Sequence, residues 1–117
     1  MITTVIPKLP FIEKQRTINF YVNQLGFKLT ADYGDYIIMN RVNIELHFFL
    51  FKELIHQQSN FMIYFRIDNE IEKYYKEIQV SGVKIHPNGA LENKPWHQSE
   101  FSIIDPNGTL LTFGQAI

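Results

Sequence analysis

The feature that most restricts the fold is a repeat inside a short chain. Residues 18–29 read INFYVNQLGFKL and residues 71–85 read IEKYYKEIQVSGVKI. Each segment carries an adjacent aromatic pair, then an apolar residue, then Gly-x-Lys-aliphatic. That last element is Gly26-Phe27-Lys28-Leu29 in the first copy and Gly82-Val83-Lys84-Ile85 in the second. The second copy is longer by about one helical turn. Self-similarity on this scale means two supersecondary units built alike, each needing a neighbour to bury its apolar side.

The flanks carry the same pattern. Ile18, Tyr21, Val22 and Leu25 recur at helical spacing, with Gly26 placed as the residue that ends the helix. In the second copy Ile71, Tyr74, Tyr75 and Ile78 form the stripe, Asp68 is placed to cap, and Glu70 and Glu72 sit near the positive end. Strand-like runs over 3–9 and 60–67 precede the helices. Runs over 27–32, 36–40 and 43–50 follow the first, and 84–90, 99–104 and 109–114 follow the second. Turn signals stand at Gly34-Asp35 and Asp105-Pro106-Asn107-Gly108. The expected fold is α+β: one domain over 1–117, made of βαβββ half-repeats 1–57 and 58–117.

A chain of 117 residues suits a single domain with a modest core. Ten Phe and six Tyr supply large rings, which compensate for small size and also suit walls against flat ligands. There is no cysteine, hence no disulfide, thiol nucleophile or Cys-based zinc site. A net charge of −1 argues against nucleic acid and anionic membranes as partners. No run approaches the roughly 18 apolar residues of a membrane span. The start, MITTVIPKLP, has neither the basic leader nor the apolar stretch of a secretory signal, so a cytoplasmic location is expected. No phosphate-binding loop and no G-x-S-x-G nucleophile elbow is present.

Strand alternation separates two faces. Val5 and Pro7; Ile44, Leu46 and Phe48; Phe61, Ile63 and Phe65; Leu111 and Phe113 make an apolar face for the helices to cover. The opposite set is mixed: Thr4, Ile6 and Lys8; Asn43, Glu45, His47 and Phe49; Met62, Tyr64 and Arg66; Leu110, Thr112 and Gly114. One wet side is ordinary for antiparallel sheets. Ile6, Phe49, Met62 and Tyr64 are many apolar groups for an idle wet surface, and curled sheets around a concave, partly apolar site account for the mixture better.

The runs VIPKLPFIEKQRTINFYVNQLGFKLT, YIIMNRVNIELHFF and KPWHQSEFSIIDPNGTLLTFGQ resemble the vicinal oxygen chelate superfamily and, within it, the bleomycin resistance proteins. The most specific elements are Asn19-Phe20-Tyr21 with Leu25-Gly26-Phe27, and Pro95-Trp96 ahead of Glu100-Phe101 and Asp105-Pro106-Asn107-Gly108. The resemblance implies two βαβββ repeats forming curved mixed sheets around a crevice, completed by a second copy in a homodimer. Superfamily enzymes such as glyoxalase I and extradiol dioxygenases hold a divalent metal there, on ligands from the first and last strand of each half. Those positions fall here on Ile6, Glu45, Met62 and Thr112. Only Glu45 is a competent ligand, and a catalytic ion takes about three from the protein. No metal and no cofactor are therefore expected. A site rebuilt from Glu45 and His47 would need His97 or Glu100 as a third ligand. Hydrogen bonding of His47 to Glu45 or Tyr64 is the commoner use of such a histidine.

In the resistance proteins the drug lies between aromatic rings and is bound without being modified. Trp96, held by Pro95, falls at the matching place, and Tyr36 matches an aromatic lining position. Alternation adds Phe49, Tyr64 and His47 to the wall, with Glu45 to attract a cationic group. The expected function is antibiotic resistance by non-covalent sequestration of a bleomycin-like drug, or of an aromatic metabolite, without catalysis. The rival is a metal-dependent glyoxalase- or dioxygenase-like enzyme. Two features depart from the family. The resistance proteins are markedly acidic, whereas this chain is near neutral with Lys8, Arg66 and Lys94 near the expected mouth, which weakens capture of a cationic glycopeptide. His97 and Gln98 also replace a glycine-containing bend.

Overall fold

The computed structural model describes residues 1–117. The first half runs β1 (Lys8–Phe11), α1 (Lys14–Ile18), β2 (Lys28–Asp32), β3 (Tyr36–Arg41) and β4 (Ile44–Leu50). The second runs β5 (Met62–Arg66), α2 (Ile71–Val80), β6 (Glu92–Lys94), β7 (Gln98–Ile104) and β8 (Leu110–Ala116). The strands form two four-stranded mixed sheets of the same order, β1-β4-β3-β2 and β5-β8-β7-β6. In each, the strand before the helix runs parallel to the last strand of its half, and the other pairs are antiparallel. The α+β expectation and its curved, repeated sheets match this architecture. No helix is long and apolar enough to cross a membrane.

Prolines decide where the first strand pairs. The expected strand over 3–9 is displaced: β1 begins at Lys8, and Val5 is 85% exposed rather than part of the apolar face. Pro7 and Pro10 have no N–H, so they fit only an edge strand with the nitrogen turned away from the ladder. The Pro7 carbonyl accepts from His47 N–H at 3.1 Å and the Phe11 carbonyl from Phe51 N–H at 2.9 Å. Leu9 and Phe11, rather than Val5, then share the buried side with Leu46 and Phe48.

The first helix widens after α1. Asn19–Gln24 is π-helical, with Leu25 N–H bonded to the Phe20 carbonyl at 3.2 Å. The wider turn reduces the angular step between side chains, so neighbours Phe20 and Tyr21 both reach the core and meet edge to face at 5.1 Å. Gly26 and Gly82 end their helices at φ of 79° and 93°, as the repeat predicts. The expected Asp68 cap does not form. Glu70, at φ 60°, is the capping residue, and the free Ile71 N–H donates instead to Gln115 Oε1 of β8 at 2.8 Å. The expected strand over 84–90 is likewise replaced by an isolated bridge from Ile85 to Ile103, with β6 following later. Pro87 lacks a ladder donor, and Pro87-Asn88 turns the chain, closed by Gly89 N–H on the His86 carbonyl.

One apolar cluster lies beneath both helices and includes Tyr21, Phe48, Phe101 and Phe113. The two halves are also locked by a polar latch. Asp105 Oδ1 accepts from Asn107 N–H and Thr109 N–H at 2.8 and 2.9 Å, closing its own turn. Asp105 Oδ2 accepts from the Tyr21 hydroxyl at 2.6 Å. Asn107 Oδ1 accepts from Ile12 N–H at 2.9 Å while its Nδ2 donates to Thr17 Oγ1 at 3.1 Å. The tip of the last hairpin in the second half thus plugs the helix of the first.

Candidate ligand-binding site

The faces away from the helices carry two side-chain clusters. On the first sheet Tyr36, His47 and Glu45 form a chain. The Tyr36 hydroxyl lies 2.6 Å from His47 Nδ1, and His47 Nε2 lies 2.5 Å from Glu45 Oε2. The register explains it: Tyr36 opposes Phe49 and Ile38 opposes His47, so the ring of Tyr36 leans diagonally onto His47. Lys8 Nζ stands 5.6 Å over the Tyr36 ring. His47 therefore bonds Glu45, as one expectation has it, and Tyr36 rather than Tyr64. Phe49 faces the same way but packs at 6.2 Å on Phe61 and 6.4 Å on Phe51.

On the second sheet Trp96, Tyr64 and Glu100 converge. Pro95, Trp96 and His97 form the three-residue turn from β6 to β7, with His97 left-handed at φ 63°. Trp96 Nε1 donates to Glu100 Oε2 at 2.9 Å, and the Tyr64 hydroxyl donates to the same oxygen at 2.8 Å. Arg66 lies 5.5 Å over the Tyr64 ring. Burial, and then the bond to Glu100, raise the Tyr64 phenol above its usual range. Trp96 is 58% exposed, Tyr64 44% and Met62 69%, so this face offers open aromatic and apolar surface.

Of the six predicted wall residues, the structure gathers Tyr36, His47 and Glu45 in one group and Trp96 and Tyr64 in another, while Phe49 lies opposite Tyr36 across the β3–β4 ladder and packs on Phe51 and Phe61. No side-chain hydrogen bond or ring pair joins the two groups within the chain. A concavity of ≈ 600 Å³ lies elsewhere, between the β3–β4 turn and the start of α2. It is lined by Arg41, Phe65, Asp68, Lys73 and Tyr74 among others, and by none of the six. It opens on the helix side, where Arg41 Nη1 donates to Tyr74 at 2.8 Å. Its mixed charges converge on no single point, and the open sheet faces carry the more specific chemistry.

Two residues with a part in the second cluster escaped sequence reasoning. Glu100 reads from sequence as a spare metal ligand. Gly114, inside a strand, is the available signal: a glycine there marks a close approach. A Cβ on Gly114 would stand 1.7 Å from the Tyr64 hydroxyl oxygen, so Tyr64 can cross β8 to Glu100 only over glycine.

The sequence profile of the glyoxalase-like domain matches residues 5–117. The chain belongs to the glyoxalase-like domain family. Among curated relatives, a bleomycin resistance protein of Geobacillus stearothermophilus is 28% identical over 127 residues, covering 96% of each chain. One of Klebsiella pneumoniae is 28% identical over 110 residues, covering 90% of this chain and 86% of its own. Among solved structures, the bleomycin resistance determinant encoded on the transposon Tn5 superposes with a TM-score of 0.88 at 27% identity, covering 98% of each chain. A bleomycin-binding protein complexed with bleomycin gives 0.87 at 27%, covering 99% of this chain and all of that one.

This glyoxalase-like domain does not fit the divalent ion used by superfamily enzymes. Ile6 precedes β1 and has no lone pair, Met62 is largely exposed, and Thr112 Oγ1 is paired with Ser102 Oγ at 2.9 Å. His47 bonds Glu45 through Nε2 and Tyr36 through Nδ1, the hydrogen-bonded use expected of such a histidine. No three His, Asp or Glu side chains gather anywhere in the chain as a metal site would require, so neither His97 nor Glu100 completes one.

Proposed function

We propose that this glyoxalase-like domain sequesters a bleomycin-like drug by stacking and burial, without modifying it. The observation that carries the reading is Trp96: a half-exposed indole whose N–H is already bonded to Glu100, leaving the ring face free beside Tyr64. A rigid ring freezes few rotamers on binding and is an efficient stacking surface. Similarity across nearly the whole chain to bleomycin resistance proteins supports the same reading. Within it the chain is one functional domain of two half-repeats, and a second copy brings the first-sheet cluster of one subunit opposite the second-sheet cluster of the other. Tyr36, His47, Glu45 and Phe49 then form the wall facing Trp96 and Tyr64. Catalysis is absent because the donor set cannot hold an ion.

A second ligand class has one specific observation in its favour. Lys8 and Arg66 lie over tyrosine rings on the two open faces, and neither is salt-bridged to a carboxylate of the chain. An anionic aromatic metabolite would use both cations. Titration of Trp96 fluorescence with bleomycin, and separately with aromatic carboxylates, tests the two. Saturable quenching by bleomycin at micromolar concentrations supports drug sequestration, a flat response to bleomycin overturns it, and quenching by the carboxylates alone selects the metabolite. Light scattering on a size-exclusion column tests the homodimer: a monomer of 13.8 kDa at high concentration overturns it.

A further inference from the structure

Glu100 is 8% exposed although it lies on the open face of the second sheet, where Ser102 and Thr112 are only partly buried. Two aromatic side chains bond to it. Both donors, Trp96 Nε1 and the Tyr64 hydroxyl, end on the single atom Oε2. They come from different directions: Trp96 from the turn four residues before Glu100, and Tyr64 from β5, across the intervening β8. Glu100 opposes Gly114, and Gly114 in turn opposes Arg66, two residues beyond Tyr64. The crossing is possible because position 114 has no side chain.

We infer that Glu100 is the positioning residue of the stacking site: its carboxylate presets the Trp96 and Tyr64 side chains, each in one orientation, before any ligand arrives. Trp96 makes no ring pair with another aromatic and sits on a turn, so the bond to Glu100 is the one polar restraint on its two side-chain torsions. An indole can donate only through Nε1, and a carboxylate acceptor makes that bond charge-assisted. The consequence concerns ligand chemistry. With the indole N–H and the phenol O–H both turned into the protein, the pair presents ring faces. It selects a planar conjugated group by shape and stacking, without demanding a hydrogen-bond acceptor on it. Presetting removes the cost of immobilising each ring at binding, which corresponds to about three- to tenfold in affinity per side chain.

This inference rests on the sequestration reading for its ligand, but its first test needs none. Trp96 is the only tryptophan, so indole fluorescence and the indole N–H resonance report on it alone. In the unmodified protein the indole proton should exchange with solvent more slowly than in a free indole; exchange at the free rate overturns the inference. Glu100→Ala, and the bulkier Glu100→Leu as a second variant, should keep the thermal transition while at least doubling acrylamide quenching and adding fast motion to the anisotropy decay of Trp96. Glu100→Gln retains an oxygen acceptor and should restore wild-type quenching. Unchanged quenching in the Ala and Leu variants, or a Gln variant as mobile as they are, overturns the inference. Because the Ala variant releases both rings, bleomycin affinity should fall about ten- to a hundredfold in it and stay near wild type in the Gln variant. If the wild type binds no bleomycin, the sequestration reading fails while the ligand-free measurements still decide the role of Glu100.

Discussion

The Tyr21 hydroxyl donates a 2.6 Å hydrogen bond to Asp105 Oδ2, joining the first helix to the last hairpin across 84 residues of chain. Tyr21 is fully buried and Asp105 is 3% exposed. A buried carboxylate is tolerated only when its oxygens are satisfied. Here Tyr21 satisfies one, and the backbone N–H groups of Asn107 and Thr109 the other. The bond thus holds the two halves in one arrangement. Tyr21→Phe, which keeps the ring packed on Phe48 and Phe27, should destabilise by about 1–3 kcal/mol, because Asp105 loses its donor. Urea unfolding followed by circular dichroism measures it; an unchanged midpoint would show that the latch contributes nothing.

The same pair sets a pH signature. Burial, and then the Asp105 charge, push the Tyr21 phenol well above its usual range, and burial raises Asp105 against the hydrogen bonds it accepts. Both groups hold their protons more tightly folded than unfolded, so the stability each contributes is present below its unfolded pKa and is lost as pH rises through the folded one. For Asp105 that loss starts near pH 4, and for Tyr21 near pH 10, the approximate unfolded values. The stability advantage of wild type over Asp105→Asn should therefore shrink as pH rises from about 4, and its advantage over Tyr21→Phe should shrink above about 10. Denaturant midpoints across pH check both slopes.

Val42, in the β3–β4 turn, is a β-branched residue at φ 52° and is 97% exposed. It pays for a left-handed conformation and buries nothing in return. Val42→Asn should raise stability by about 1 kcal/mol, since asparagine enters that region more easily. A lower melting temperature in the variant would contradict this.

Gly114→Ala tests the second cluster without touching a donor or acceptor. The added methyl collides with the Tyr64 hydroxyl and ring, so the side chain must swing away from Glu100. The chain should remain folded, and bleomycin affinity should fall by about tenfold, or 1.4 kcal/mol. Calorimetric titration of wild type and variant checks it, and equal affinities would remove Tyr64 from the wall.

Dialysis after loading with Zn²⁺ or Ni²⁺ should leave the chain with well under one equivalent of metal. Glu45 is the sole competent donor among the four superfamily positions, and an ion held by protein needs about three. Stoichiometric retention, lost in Glu45→Gln, would restore the enzyme reading.

How far the sequence reached depends on distance along the chain. Periods of 3.6 and 2, the two Gly-x-Lys-aliphatic marks and the Asp105-Pro106-Asn107-Gly108 turn report local preferences. From them the order of elements, the repeat and the apolar sides of β4, β5 and β8 were legible, as was the poverty of donors at Ile6, Met62 and Thr112. Alternation over 3–9 looked like a strand, yet pairing begins at Lys8, because a strand exists only where a partner meets it and proline allows. Asp105 was readable as a turn residue, but its bond to Tyr21 was not. Glu100 looked like a spare ligand until the register brought Tyr64 over Gly114 to meet it beside Trp96. Backbone preference is written into neighbouring residues, whereas the meeting of distant side chains depends on sheet register and packing, which exist only once the chain has closed on itself.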